Sequence, residues 1–102
     1  MAPVDETLIQ GDTVVFSCEA TARPRPDVTW WRMARDGQRS LVTPLPGKIL
    51  IDTEAVGVER EQRSNLTIID VQPSDADVYV CVAENEGGSD EKNATLTVHG
   101  KT

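Results

Sequence analysis

A strict alternation of side chains around two cysteines constrains this chain more than any other feature. In Val78-Tyr79-Val80-Cys81-Val82-Ala83-Glu84, Tyr79, Cys81 and Ala83 fall on one side of an extended backbone and the valines with Glu84 on the other. Far upstream, Val14, Phe16, Cys18 and Ala20 alternate in the same way with Thr13, Val15, Ser17 and Glu19. Each set reads as the buried face of a strand, and slipping the upstream strand by one residue would expose all four of its inward side chains. No apolar stripe at helical spacing is visible. Short apolar runs punctuated by seven glycines and six prolines fit an all-β plan instead. At 102 residues the chain accommodates one domain, with a core small enough to benefit from a covalent tie.

Five segments carry a wider pattern: Gly11-x-x-Val14-x-Phe16-x-Cys18-x-Ala20, Pro24-x-Pro26-x-Val28-x-Trp30, Leu66-x-Ile68-x-x-Val71, Asp75-x-x-x-Tyr79-x-Cys81-x-Ala83-x-Asn85-x-x-Gly88 and Ala94-x-Leu96-x-Val98. Over nearly its whole length the chain resembles an I-set immunoglobulin domain. The resemblance implies an all-β, immunoglobulin-like two-sheet Greek-key sandwich with one intersheet disulfide between Cys18 and Cys81, and core positions at Phe16, Trp30, Leu66 and Tyr79. Closing a loop of about 64 residues in this way stabilises by roughly 4 kcal/mol in the chain-entropy model. A tyrosine corner is implied too, with the Tyr79 hydroxyl bonding to backbone upstream, and a basic partner for Asp75, with Lys48, Arg60 and Arg63 as candidates. Asp77 departs from the Gly or small residue usual at its place. Cys81-x-Ala83-x-Asn85 beside a Gly-rich hairpin is also similar to the immunoglobulin domain that follows leucine-rich repeats in neuronal receptors.

In chain order the expected strands cover residues 4–9, 13–20, 28–33, 38–43, 48–53, 63–70, the stretch around Tyr79, and 90–98. Asp36-Gly37 gives a tight turn, Pro44 to Gly47 a break, Gly57 a turn, and Glu86 to Ser89 a hairpin. In Ile49-Leu50-Ile51 alternation buries either the two isoleucines or Leu50. The span between Trp30 and Leu66 is longer than seven strands need, so an extra edge strand or a long ribbon is expected there. Arg23-Pro24-Arg25-Pro26 excludes helix and reads either as a stiff basic recognition loop or as a plain connection. The folded unit is expected over residues 3–99, with 1–2 and 100–102 as linker or expression residues, since Met1-Ala2-Pro3 lacks the apolar segment of a secretory leader.

The net charge of -7 argues against nucleic-acid or anionic-membrane surfaces, and no apolar run is long enough to insert in a bilayer. Two cysteines and the lone His99 do not make a zinc site. Asp75 with Asp77, or Asp90 with Glu91, lacks the spaced oxygens of a calcium loop. Gly100-Lys101-Thr102 lacks the earlier glycine of a phosphate loop. No nucleophile signature accompanies His99, so neither an enzyme nor a cofactor is expected.

Function is therefore expected on the surface. Alternation turns Trp31, Val80 and Val82 outward, either as a partner-binding patch anchored by Trp31 or as an indole lying flat over its cross-strand neighbours. Asn65-Leu66-Thr67 and Asn93-Ala94-Thr95 are glycosylation acceptors at outward positions. Sequons and a cystine together favour an extracellular, cell-surface or secreted setting. The expected role is a non-enzymatic protein-recognition module of an adhesion molecule or receptor, meeting homophilic or heterophilic protein partners and flanking domains. The alternative is a structural spacer in a matrix or intracellular muscle-filament protein.

Overall fold

The computed structural model describes residues 2–22, 25–56 and 61–100. Among them, eight strands form: β1 (Glu6–Ile9), β2 (Val14–Thr21), β3 (Asp27–Met33), β4 (Arg39–Leu41), β5 (Ile49–Val56), β6 (Glu61–Ile68), β7 (Val78–Asn85) and β8 (Gly88–His99). They make two facing sheets, β1-β8-β7-β3-β4 and β2-β6-β5. This is the two-sheet sandwich that the resemblance implied, and the period-two pattern decides which side chains face inward between the sheets.

From β2 and β6, Val14, Phe16, Cys18, Leu66 and Ile68 turn inward to meet Trp30, Tyr79, Cys81, Ala94 and Leu96 of the opposing sheet, and Val71 joins the same cluster. The Cys18–Cys81 disulfide, with an S–S distance of 2.02 Å, ties the sheets through this cluster. Trp30 is the register partner of Cys81 on the neighbouring strand and is 1% exposed. Its Nε1 donates to Ser64 Oγ at 2.9 Å, so the one polar atom of a deeply buried indole is satisfied inside the core. Ser64 in turn exchanges a hydrogen bond with Thr53 at 2.9 Å. The Phe16 and Tyr79 rings stack 5.6 Å apart.

Strand limits differ from expectation where pairing, not alternation, decides them. The opening strand starts at Glu6 and pairs parallel with β8, while Asp5 Oδ1 accepts from the Thr95 amide at 2.8 Å. The region expected to hold an extra edge strand or a ribbon holds both: β4 is a three-residue edge, and β5 and β6 form a long antiparallel ribbon from Ile49↔Ile68 to Val56↔Glu61. Alternation in β5 half-buries Ile49 and Ile51 and leaves Leu50 49% exposed. The turn expected at Gly57 lies outside the described residues. Asp36-Gly37 does turn, with the Gly37 amide donating to Ala34 at 2.9 Å and Gly37 at φ +85°. The β7–β8 hairpin is tighter than expected, since Asn85 already pairs with Gly88.

The corner before β7 is a 3₁₀ turn over Pro73–Asp75. Tyr79 Oη donates to the Asp75 carbonyl at 2.6 Å, which forms the tyrosine corner. The Asp75 carboxylate accepts from the Gln72 amide at 2.8 Å and from Lys48 Nζ at 2.7 Å. Of the three candidate partners, Lys48 holds this place. Arg63 instead approaches Glu19 at 3.6 Å and Glu54 at 3.9 Å, and Arg60 lies outside the described residues. Asp77, unusual at its position, accepts from Arg32 Nε at 2.6 Å, and Arg32 also donates to the Ser74 carbonyl. A carboxylate is tolerated there because a half-buried guanidinium neutralises it. Burial pushes the Tyr79 hydroxyl up to about 12, although the Arg32 charge pulls the other way. Burial opposes the charge on Arg32 as well, but its hydrogen bond to Asp77 and the field of its neighbours outweigh that and raise its pKa.

Candidate protein-recognition face

Because Trp30 and Cys81 face the core, the residues between them in sequence parity face outward across the five-stranded sheet. Register assembles them into rows. Leu41, Trp31, Val80 and Asn93 lie side by side on β4, β3, β7 and β8; Thr29, Val82 and Glu91 form the row on one side, and Arg39, Met33, Val78 and Thr95 the row on the other.

The expected trio does not present equally. Trp31 and Val82 are half-buried, whereas Val80 is 1% exposed, so the expectation that Val80 offers contact area is corrected. Val80 sits on a central strand between Trp31 and Asn93, and the row is bridged from above. Arg39 on β4 makes a paired contact with Glu91 on β8, Nη1 to Oε2 at 2.8 Å and Nη2 to Oε1 at 2.9 Å. Those residues sit in the two rows flanking Trp31 and Val80, on strands separated by β3 and β7, so by register the ion pair crosses over the middle of the face. The Arg39 hydrogen bond holds the Glu91 carboxyl below its ordinary range, and Glu91 raises Arg39 in return.

Trp31 is anchored along its own strand, its Nε1 donating to Thr29 Oγ1 at 3.0 Å. The indole edge is thus satisfied without a partner, while part of the ring remains accessible beside Leu41. Leu41, 49% exposed, extends the apolar row to the sheet edge and escaped the sequence reading, although its parity in the 38–43 strand was available. Leu41 and Leu45, with Val42, Pro44 and Ile49, also line an open groove of about 250 Å³ between the edges of the two sheets.

The two sequons occupy different environments. Asn93 is exposed, as is Thr95. Asn65 is half-buried on β6, between Ser17 of β2 and Asp52 of β5, and its Oδ1 accepts from Ser17 Oγ at 2.7 Å. The Arg-Pro loop is described only in part: Arg23 and Pro24 lie outside the described residues, Arg25 is half-buried and Pro26 is buried. His99 is exposed at the end of β8, beside Ile9.

Two facing sheets tied by a core cystine against a tryptophan, with a tyrosine corner at the entry to the second cysteine strand, define a domain of the immunoglobulin class. The chain belongs to the immunoglobulin I-set domain family, whose model matches residues 1–98. It is 35% identical over 103 residues to protein sidekick-2 of Mus musculus, an alignment covering 98% of this chain and 4% of that protein. It is also 35% identical over 96 residues to the leucine-rich repeat and immunoglobulin-like domain-containing nogo receptor-interacting protein 3 of Mus musculus, covering 90% of this chain and 14% of that protein. Among solved structures it is similar to a chimeric titin Z1Z2, with a TM-score of 0.80 and 25% identity over 98% of this chain and 91% of that one. The chain thus spans a small fraction of the curated relatives it matches.

Proposed function

We propose that this domain, folded over residues 3–99, is a non-enzymatic protein-recognition module of a cell-surface or secreted protein, acting in adhesion or signalling. The observation that carries the reading is the Cys18–Cys81 cystine, because such a bond persists in an oxidising compartment and not in a reducing cytosol. Support for recognition comes from the outer face of the five-stranded sheet, where Trp31 and Leu41 leave apolar area beside the Arg39–Glu91 ion pair. One relative is itself named for interacting with a receptor. The likeness to titin domains supports a second reading, a spacer in an intracellular filament.

Binding decides between them. The domain, clustered as a fluorescent tetramer, is expected to bind a protein on cell surfaces or a second copy of itself in sedimentation, and Trp31→Ala combined with Leu41→Ser is expected to weaken that binding at least tenfold. Anchor residues of this kind dominate interfaces by ~1–2 kcal/mol or more. A tetramer that neither self-associates nor binds any cell type would overturn the recognition reading in favour of the spacer.

A further inference from the structure

We propose that Asn93, and not Asn65, carries an N-linked oligosaccharide, set at the β8 end of the row that crosses the outer face of the five-stranded sheet. The inference rests on the extracellular reading above and adds which of the two acceptors is used.

Both acceptor sequences are equivalent as motifs; their surroundings in the fold are not. Asn65 lies on the central strand of the three-stranded sheet and has a neighbour on each side, Ser17 and Asp52. Its amide oxygen is held by Ser17 Oγ at 2.7 Å, and the side chain is half-buried. A sugar joined there would have to sit on a half-buried side chain between two strands. Asn93 faces the opposite circumstances. It pairs with Val80 on β7, but β1 pairs with β8 from Leu96 to His99, so among the described residues no strand of the sheet flanks Asn93 on its other side. Asn93 and Thr95 are exposed, and Asn93 ends the row that begins with Leu41 and Trp31.

The transfer is balanced with a polyisoprenyl-pyrophosphate-linked oligosaccharide as donor. The bond from sugar C1 to the phosphate oxygen breaks and leaves its electron pair on the pyrophosphate, a bond forms from C1 to Asn93 Nδ2, and Nδ2 gives up one proton. The attached sugar then stands next to Val80, on the side of the row away from β4. Val80, already covered, loses nothing by it.

One digest reads the whole inference. The protein is isolated from cells that make it, alkylated before reduction, and mapped by mass after glycosidase release in heavy-oxygen water, which marks each formerly glycosylated Asn as labelled Asp. A disulfide-linked Cys18–Cys81 peptide with label at Asn93 and none at Asn65 is expected. A cystine with Asn93 unlabelled, or with Asn65 labelled, overturns the site assignment and leaves the recognition reading intact. Alkylated Cys18 and Cys81 overturn the extracellular reading itself.

Discussion

Trp30 and Trp31 are neighbours on one strand, yet they serve opposite faces of the same sheet. Trp30 is 1% exposed, stands over the cystine strand and sends its N–H across the sandwich to Ser64 on the other sheet. Trp31 is half-buried, and its N–H goes to Thr29 two residues back on its own strand. The inner indole couples elements far apart in sequence, while the outer one closes a local contact and leaves ring surface in water. Aromatic bulk is therefore structural on one side and available for contact on the other, with only the backbone pleat deciding between them.

The sharpest way to break that contrast is to truncate each ring. Trp30→Ala is expected to cost about 3–5 kcal/mol, since it opens a large cavity and strips Ser64 of its donor. Trp31→Ala is expected to cost about 1 kcal/mol or less, in the range of lost cross-strand pairing. Urea denaturation of the two variants measures this directly. Comparable losses would mean that the outer indole is a structural element and not a contact reserve.

Much of this contrast was legible in the sequence. The parity of Phe16 and Cys18, of Trp30, and of Tyr79 and Cys81 sorted inner from outer positions without ambiguity, and the spacing of Cys18, Trp30 and Cys81 named the architecture. Ser64 was missed, although it shares parity with Leu66 and Ile68, because a small polar residue carries no hydrophobic signal and its value lies in a partner 34 residues away. The burial of Val80 on the outward face was missed for a related reason. Parity says which face a side chain takes, but not what lies across that face, where Arg39 and Glu91 pair from positions 52 residues apart. The parallel pairing of β1 with β8 was likewise invisible, since nothing local to Glu6–Ile9 specifies Leu96–His99 as partner. The Lys48–Asp75 pair could be narrowed to three candidates and no further, because strand register selects among them.

The inner side also has a pH signature of its own. With its hydroxyl raised to about 12 by burial, Tyr79 stays protonated in the fold over a range in which the unfolded chain, near 10, has already ionised. Above pH 10 the unfolded state therefore binds fewer protons than the native state, and stability falls as pH rises through that window, by about 2–3 kcal/mol at its end. Tyr79→Phe removes this limb. It also removes the hydrogen bond to the Asp75 carbonyl and is expected to be about 1 kcal/mol less stable at neutral pH. The two stability curves are thus expected to cross between pH 10 and 12 in denaturant titrations. Parallel curves would show that the corner hydroxyl ionises as it does in water.

The smallest expected effect belongs to the outer side and tests what lies over Val80. Because the Arg39 hydrogen bond lowers the Glu91 pKa, its contribution to stability is present above the ordinary carboxylate range and is lost as pH falls through the depressed value. Both side chains are solvent-exposed, so Arg39→Ala is expected to change unfolding free energy hardly at all. It is expected to return Glu91 to the ordinary range in a carboxyl NMR titration. In the same spectra, a soluble nitroxide should broaden the Val80 methyls of the variant and spare those of the parent, because the bridge over the row is gone. If the Val80 methyls stay protected, its burial comes from Trp31 and Asn93 alone. The ion pair would then be an ornament of the rim, and removing it would leave the recognition face unchanged.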